Sequence, residues 1–147
     1  MGIYASLGIS ATGMSAQRLR MDTIASNLAN ADSTNGVGEA YRRKAVTMTA
    51  APGGPGFALP RPTGSVSGEA DLHGVAVTGI VEDNSPLRRI YEPGHPLADA
   101  EGYVTRPNVN AVTEMVDLVA AARSFQSNVA AFEATKNMAR DALRIIQ

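Results

Sequence analysis

The sequence predicts an α+β fold: long helices at both ends of the chain, paired as a coiled-coil-like hairpin, with a small β-rich module between them. Two observations carry this prediction. Apolar side chains recur in alternating steps of three and four at each end, the spacing of a single helix face. Between these ends lie short β-branched runs separated by Pro, Gly and Asn clusters.

At the N-terminus, Tyr4, Leu7, Ala11, Met14, Arg18, Met21, Ala25 and Leu28 trace one face from Ile3 to Ala31, widened by Ile24 and Ala31. Arg18 alone interrupts it, and its alkyl stem can lie along apolar surface. Asn35-Gly36 with Gly38 supplies a stop. Strands are expected at Tyr41–Met48, Leu72–Val81, Leu87–Tyr91 and Gly102–Arg106, with a turn at Glu92-Pro93-Gly94-His95-Pro96 between the last two. Residues 51–68 hold four prolines and five glycines, the composition of a loop or flexible insertion.

The C-terminal pattern is the strongest. Met115, Leu118, Ala122, Phe125, Val129, Phe132, Lys136, Ala139, Leu143 and Ile146 alternate without a break over more than four heptads. Pro107 precedes them, Asn108 or Asn110 can cap the helix, and Glu114 and Asp117 lie near its positive N-terminal end. The expected division is a helical domain of residues 1–35 and 107–147 around an outer β module of residues 36–106, with a flexible insertion at 51–71.

The 147 residues carry 13 Lys and Arg against 14 Asp and Glu, a formal net charge of −1. That balance excludes a nucleic-acid binder relying on bulk positive charge. The run Arg42-Arg43-Lys44 has the density of a solvated or interface edge. With no cysteine, the chain has no disulfide, thiolate nucleophile or thiolate metal site. His73 and His95 have no metal-ligand spacing, no phosphate loop is present, and Gly64-Ser65-Val66-Ser67-Gly68 lacks the central serine of a nucleophile elbow. The expectation is a non-enzyme with no cofactor and no metal. Residues 1–17 are uncharged but hold few large apolar side chains, so they match neither a signal peptide nor a membrane span.

A physical tension remains. Both helices are rich in alanine, and each Ala buries little apolar area at roughly 25 cal/mol per Å². A two-helix hairpin on a small β module would leave apolar surface wet. Small residues on several sides of a helix suit an array of closely approaching subunits, with the ends ordering on assembly. A subunit with different surfaces fore and aft makes heterologous contacts, which generate rings or filaments. The expected assembly surface is Leu7, Met14, Met21, Leu28, Met115, Leu118, Phe125, Val129, Phe132 and Leu143. Asn27, Asn30, Asn108 and Asn110 would mark the helix boundaries and fix how each helix leaves the β module. The competing reading is a binding module with a helical dimerisation stalk, and a membrane-surface helix ranks last.

The segment Ser10-Ala11-Thr12-Gly13-Met14-Ser15-Ala16-Gln17-Arg18-Leu19-Arg20-Met21-Asp22, continuing to Ser26-Asn27-Leu28-Ala29-Asn30, resembles the N-terminal signature of bacterial flagellar rod and hook proteins. Tyr41-Arg42-Arg43-Lys44, Val77–Asp83, Tyr91–Pro96, Glu101–Val104, Pro107–Asn110 and Glu114–Leu118 follow in the same order and resemble its proximal-rod members. The likeness covers residues 1–50 and 72–147; residues 51–71 depart from it. The resemblance implies a structural subunit whose terminal helices form the inner tube of a rod crossing the periplasm, with the β-rich part outside. It further implies export through the flagellar type III apparatus without a cleaved signal. The implied partners are other rod proteins, basal-body ring or adaptor proteins and that export machinery, with no nucleic acid and no membrane insertion. By analogy the seam side chains bear axial load as the rod transmits motor torque.

Overall fold

A computed structural model describes residues 3–34, 40–51 and 74–145. Helix α1 spans Ile3–Ala29 and helix α2 spans Ala111–Ile145. At 27 and 35 residues they are about 40 Å and 52 Å long at roughly 1.5 Å per residue. Between them lie β1 (Lys44–Ala50), β2 (Val75–Glu82), β3 (Arg88–Tyr91) and β4 (Tyr103–Arg106). The observed class is α+β, with strand positions shifted from expectation by a few residues at most. The expected stop at Asn35-Gly36 and nearly all of the Pro/Gly-rich insertion lie outside the described residues.

The strands form two separate two-stranded antiparallel sheets, β1–β2 and β3–β4. In the first, Lys44 pairs with Glu82 and Ala50 with Val75. The register shifts between Thr47 and Met48, leaving Thr78 as the extra residue, and its hydroxyl donates to Thr47 O at 3.1 Å. This ribbon packs on α1. Thr12 Oγ1 accepts the Val75 N–H at 3.2 Å, and a side chain at Gly74 would collide with Thr12.

The second hairpin, β3–β4, is closed by a turn organised on Asp99. Its carboxylate accepts the backbone N–H groups of Glu101 (3.0 Å) and Tyr103 (2.8 Å), while Arg89 donates to its other oxygen at 2.7 Å. Gly102 takes φ +81°, a left-handed backbone that side chains disfavour. The Tyr103 amide, then Arg89, hold the Asp99 carboxyl below its ordinary value. A lowered folded-state pKa means the turn's carboxylate contribution is complete above the ordinary aspartate range and is lost as pH falls through the lowered value. An NMR titration should therefore show the Tyr103 amide shifting with a midpoint below the ordinary aspartate value, and Asp99→Asn should abolish that transition.

The two helices run antiparallel. Asn27 bonds Glu114 near one end, and Gly13 lies against Asn128 further along. A Cβ at Gly13 would come within 2.8 Å of the Asn128 amide nitrogen, so glycine permits this close helix approach. Equal rise along both helices from these crossings brings Ile3 opposite Met138. The last turns of α2 therefore extend past the described part of α1.

Candidate assembly interface

A polar hub fixes both helices to the β module. Asn27 and Glu114 are each 0% exposed. Asn27 Nδ2 donates to Lys44 O at 2.8 Å and to Glu114 Oε2 at 3.0 Å. Its Oδ1 accepts the Lys44 N–H at 2.9 Å and the Tyr41 hydroxyl at 2.9 Å. One amide side chain of α1 thus satisfies the backbone at the start of β1 and a carboxylate of α2, with all four of its hydrogen-bonding positions used.

Glu114 Oε1 takes a 2.7 Å ion pair from Arg43 Nε, and Arg43 NH2 reaches Asp117 at 3.5 Å. The buried carboxylate is thereby paired and hydrogen-bonded, as burial of charge requires. Asn108 extends the hub. Its Oδ1 accepts the Arg43 N–H at 2.8 Å, and its Nδ2 donates to Asp83 O at 3.0 Å and Ser85 Oγ at 2.8 Å. The Ser85 backbone N–H, then its hydroxyl, keep the Asp83 carboxyl below its usual value, with Arg43 and Arg42 adding to the effect.

The four asparagines differ in role. Asn110 caps α2, its Oδ1 accepting the Val112 N–H at 3.0 Å. Asn30 follows α1 and donates to Ser26 O at 2.8 Å, satisfying a last-turn carbonyl. Asn27 lies inside α1 and ties three elements together, while Asn108 bridges the residue before β1 to the loop after β2. Two readings are corrected here. Glu114 is a buried hub carboxylate rather than only a charge complementing the helix dipole. Arg43, in the basic run, turns inward to it.

The expected seam divides into several environments. On α2, Leu118, Phe125, Val129 and Phe132 are half-buried and share a face with fully buried Glu114 and Ala121. Met115 stands off that face and is exposed. Leu143 lies in phase with it but is 67% exposed, because it falls beyond the described start of α1. On α1, Leu7, Met14, Met21 and Leu28 are half-buried, whereas the deepest positions are Gly13, Ala16, Thr23, Ile24 and Asn27. The α1 packing stripe is thus rotated from the Leu/Met row. Gly13, Thr23 and Asn27 carry no hydropathy signal, which is why the sequence pattern passes over them.

The opposite face of α2 carries branched apolar side chains that the described residues leave largely uncovered. Val112, Val116 and Val119 are 71%, 64% and 52% exposed. Steps of four and three keep them in one row, directed away from α1. Among the described residues no group of acidic or histidine side chains could hold a metal ion, and no helix is long and apolar enough to cross a membrane.

Residues 7–36 match the family model described as flagella basal body rod protein, and residues 100–145 match that of the flagellar basal body rod FlgEFG protein C-terminal region. The chain is 45% identical to the flagellar basal-body rod protein FlgC of Bacillus subtilis (strain 168), covering 99% of both chains. It is 37% identical to that of Borreliella burgdorferi, covering 100% of this chain and 99% of the relative. For Escherichia coli O157:H7 the identity is 40%, over 94% and 93%. The first match covers most of α1 and the second covers β4, the link to α2 and α2 itself. With 37–45% identity over nearly the full length of these relatives, the chain belongs to the FlgC family of flagellar basal-body rod proteins and is a structural rod subunit.

Proposed function

We propose that the chain is a non-enzymatic, load-bearing subunit of the proximal rod, ordered fully only when neighbouring subunits cover its helices. In this reading residues 1–35 and 107–147 tile the inner wall in coiled-coil-like contacts, and residues 36–106 form the outer module. The uncovered row Val112, Val116 and Val119 carries the reading, since a solitary chain leaves large apolar side chains wet on the face opposite its own helix partner. Stiffness under motor torque follows from close packing once that face is covered. The partners are other rod proteins and basal-body ring or adaptor proteins, reached through the type III export apparatus and assembled within the periplasm.

The test is complementation. A flagellated bacterium lacking its own proximal-rod FlgC should regain complete basal bodies and swimming when supplied with this chain. Expression and export of the chain without its recovery in basal bodies would overturn the reading.

A further inference from the structure

Resting on that reading, we infer that the exposed row of α2 docks on the outer row of α1 in a second copy of this chain, displaced by four residues and locked by an Arg123–Asp22 ion pair. The α2 row continues from Val116 and Val119 through Arg123 to Ala130 and Ala134, in steps that keep one face. The outer face of α1, opposite its buried Gly13, Ile24 and Asn27, presents exposed Ala29, Ala25, Asp22, Arg18 and Ser15, and ends at Ala11, which is half-buried beside Val75 and Val77 of the β1–β2 ribbon. One surface offers branched side chains and the other small ones, so protruding valines meet a row shallow enough to receive them. Alike in direction, two copies bring α2 of one against α1 of the next in antiparallel sense, as within each chain.

Charge selects the register. With the copies level, as Asn27 and Glu114 set the helices inside one chain, Val112 meets Ala29 and Arg123 falls on Arg18, a like-charge clash. A displacement of four residues, about 6 Å at roughly 1.5 Å per residue, puts Val116 on Ala29 and Arg123 on Asp22. The same step moves Arg18 opposite Ser127 and puts Ala130 on Ser15 and Ala134 on Ala11, small against small. A second step of four residues leaves Asp22 facing Ser127 and unpaired with Arg123. Both charged side chains are exposed, and neither makes an ion pair among the described residues. The contact is heterologous and adds the same step at each copy, so it propagates rather than closing a pair.

The chain's lack of cysteine makes the test direct. Ala29→Cys and Val116→Cys are made as two single variants of the full chain, purified, concentrated and mildly oxidised. The equimolar mixture should form disulfide dimers at least ten times faster than either variant alone, and the double variant should give a ladder of longer species. No acceleration in the mixture, or equal dimerisation by a single variant, overturns the contact. In the complemented strain, Arg123→Asp should reduce swimming at least tenfold, and Arg123→Asp with Asp22→Arg should restore most of it. A double variant no better than Arg123→Asp alone likewise overturns the pair. Failure of the unaltered chain to restore swimming would instead count against the rod reading, while the disulfide result still decides the contact in solution.

Discussion

Asn27→Ala should destabilise the folded chain by about 3–5 kcal/mol, more than any other single truncation at the hub. The substitution strips a partner from Lys44 N–H, Lys44 C=O, the Tyr41 hydroxyl and Glu114 Oε2 simultaneously. A buried polar group left unpaired costs roughly 1–3 kcal/mol, and relaxation or water entry recovers only part of the sum. Against a typical domain stability of about 5–15 kcal/mol, the loss is large. Urea denaturation followed by circular dichroism reads it directly, and hydrogen exchange at the Lys44 amide localises it. A midpoint unchanged to within about 1 kcal/mol would mean that the hub does not hold the helices to the β module.

Phe125→Asp should separate α1 from α2. Truncating a buried aromatic costs roughly 3–5 kcal/mol, and the new carboxylate adds a desolvation penalty. Phe125 is half-buried, which places the expected loss near the low end, about 3–4 kcal/mol. Helical ellipticity should fall sharply, while NMR signals of the β3–β4 hairpin, closed by Asp99 and Gly102, stay in place. In the complemented strain, swimming should be abolished. Phe125→Leu keeps an apolar side chain in the seam and should preserve both helix content and motility. Normal swimming with Phe125→Asp would remove the seam from the load path.

These two sites differ in how openly the sequence announces them. Phe125 belongs to a heptad row whose large apolar side chains repeat too regularly to be missed, and α2 is found where that row predicts it. The four strands also follow from β-branched runs between turn residues, with ends displaced because pairing partners, not composition, decide where a ladder stops. Asn27 is different. Two residues from the end of α1, it has the position and chemistry of a terminating residue, and its partners at 41, 44 and 114 are brought to it only by folding. Glu114 near a helix start and Arg43 in a basic run each have a sufficient local explanation, so their pairing leaves no trace in spacing. The rotated α1 stripe is hidden for another reason: close approach at Gly13 comes from the lack of a side chain, which no periodicity of apolar residues can register.

Helices of unequal length set antiparallel cannot finish flush. From Ala139 onward α2 stands proud of the described part of α1 like a tenon, with Leu143 still oriented as though a neighbour were present. A joint made that way is a scarf rather than a butt: whatever seats on the projecting turns overlaps the boundary between one building block and the next. Pulling or twisting the stack would then shear a long lapped surface instead of opening a gap.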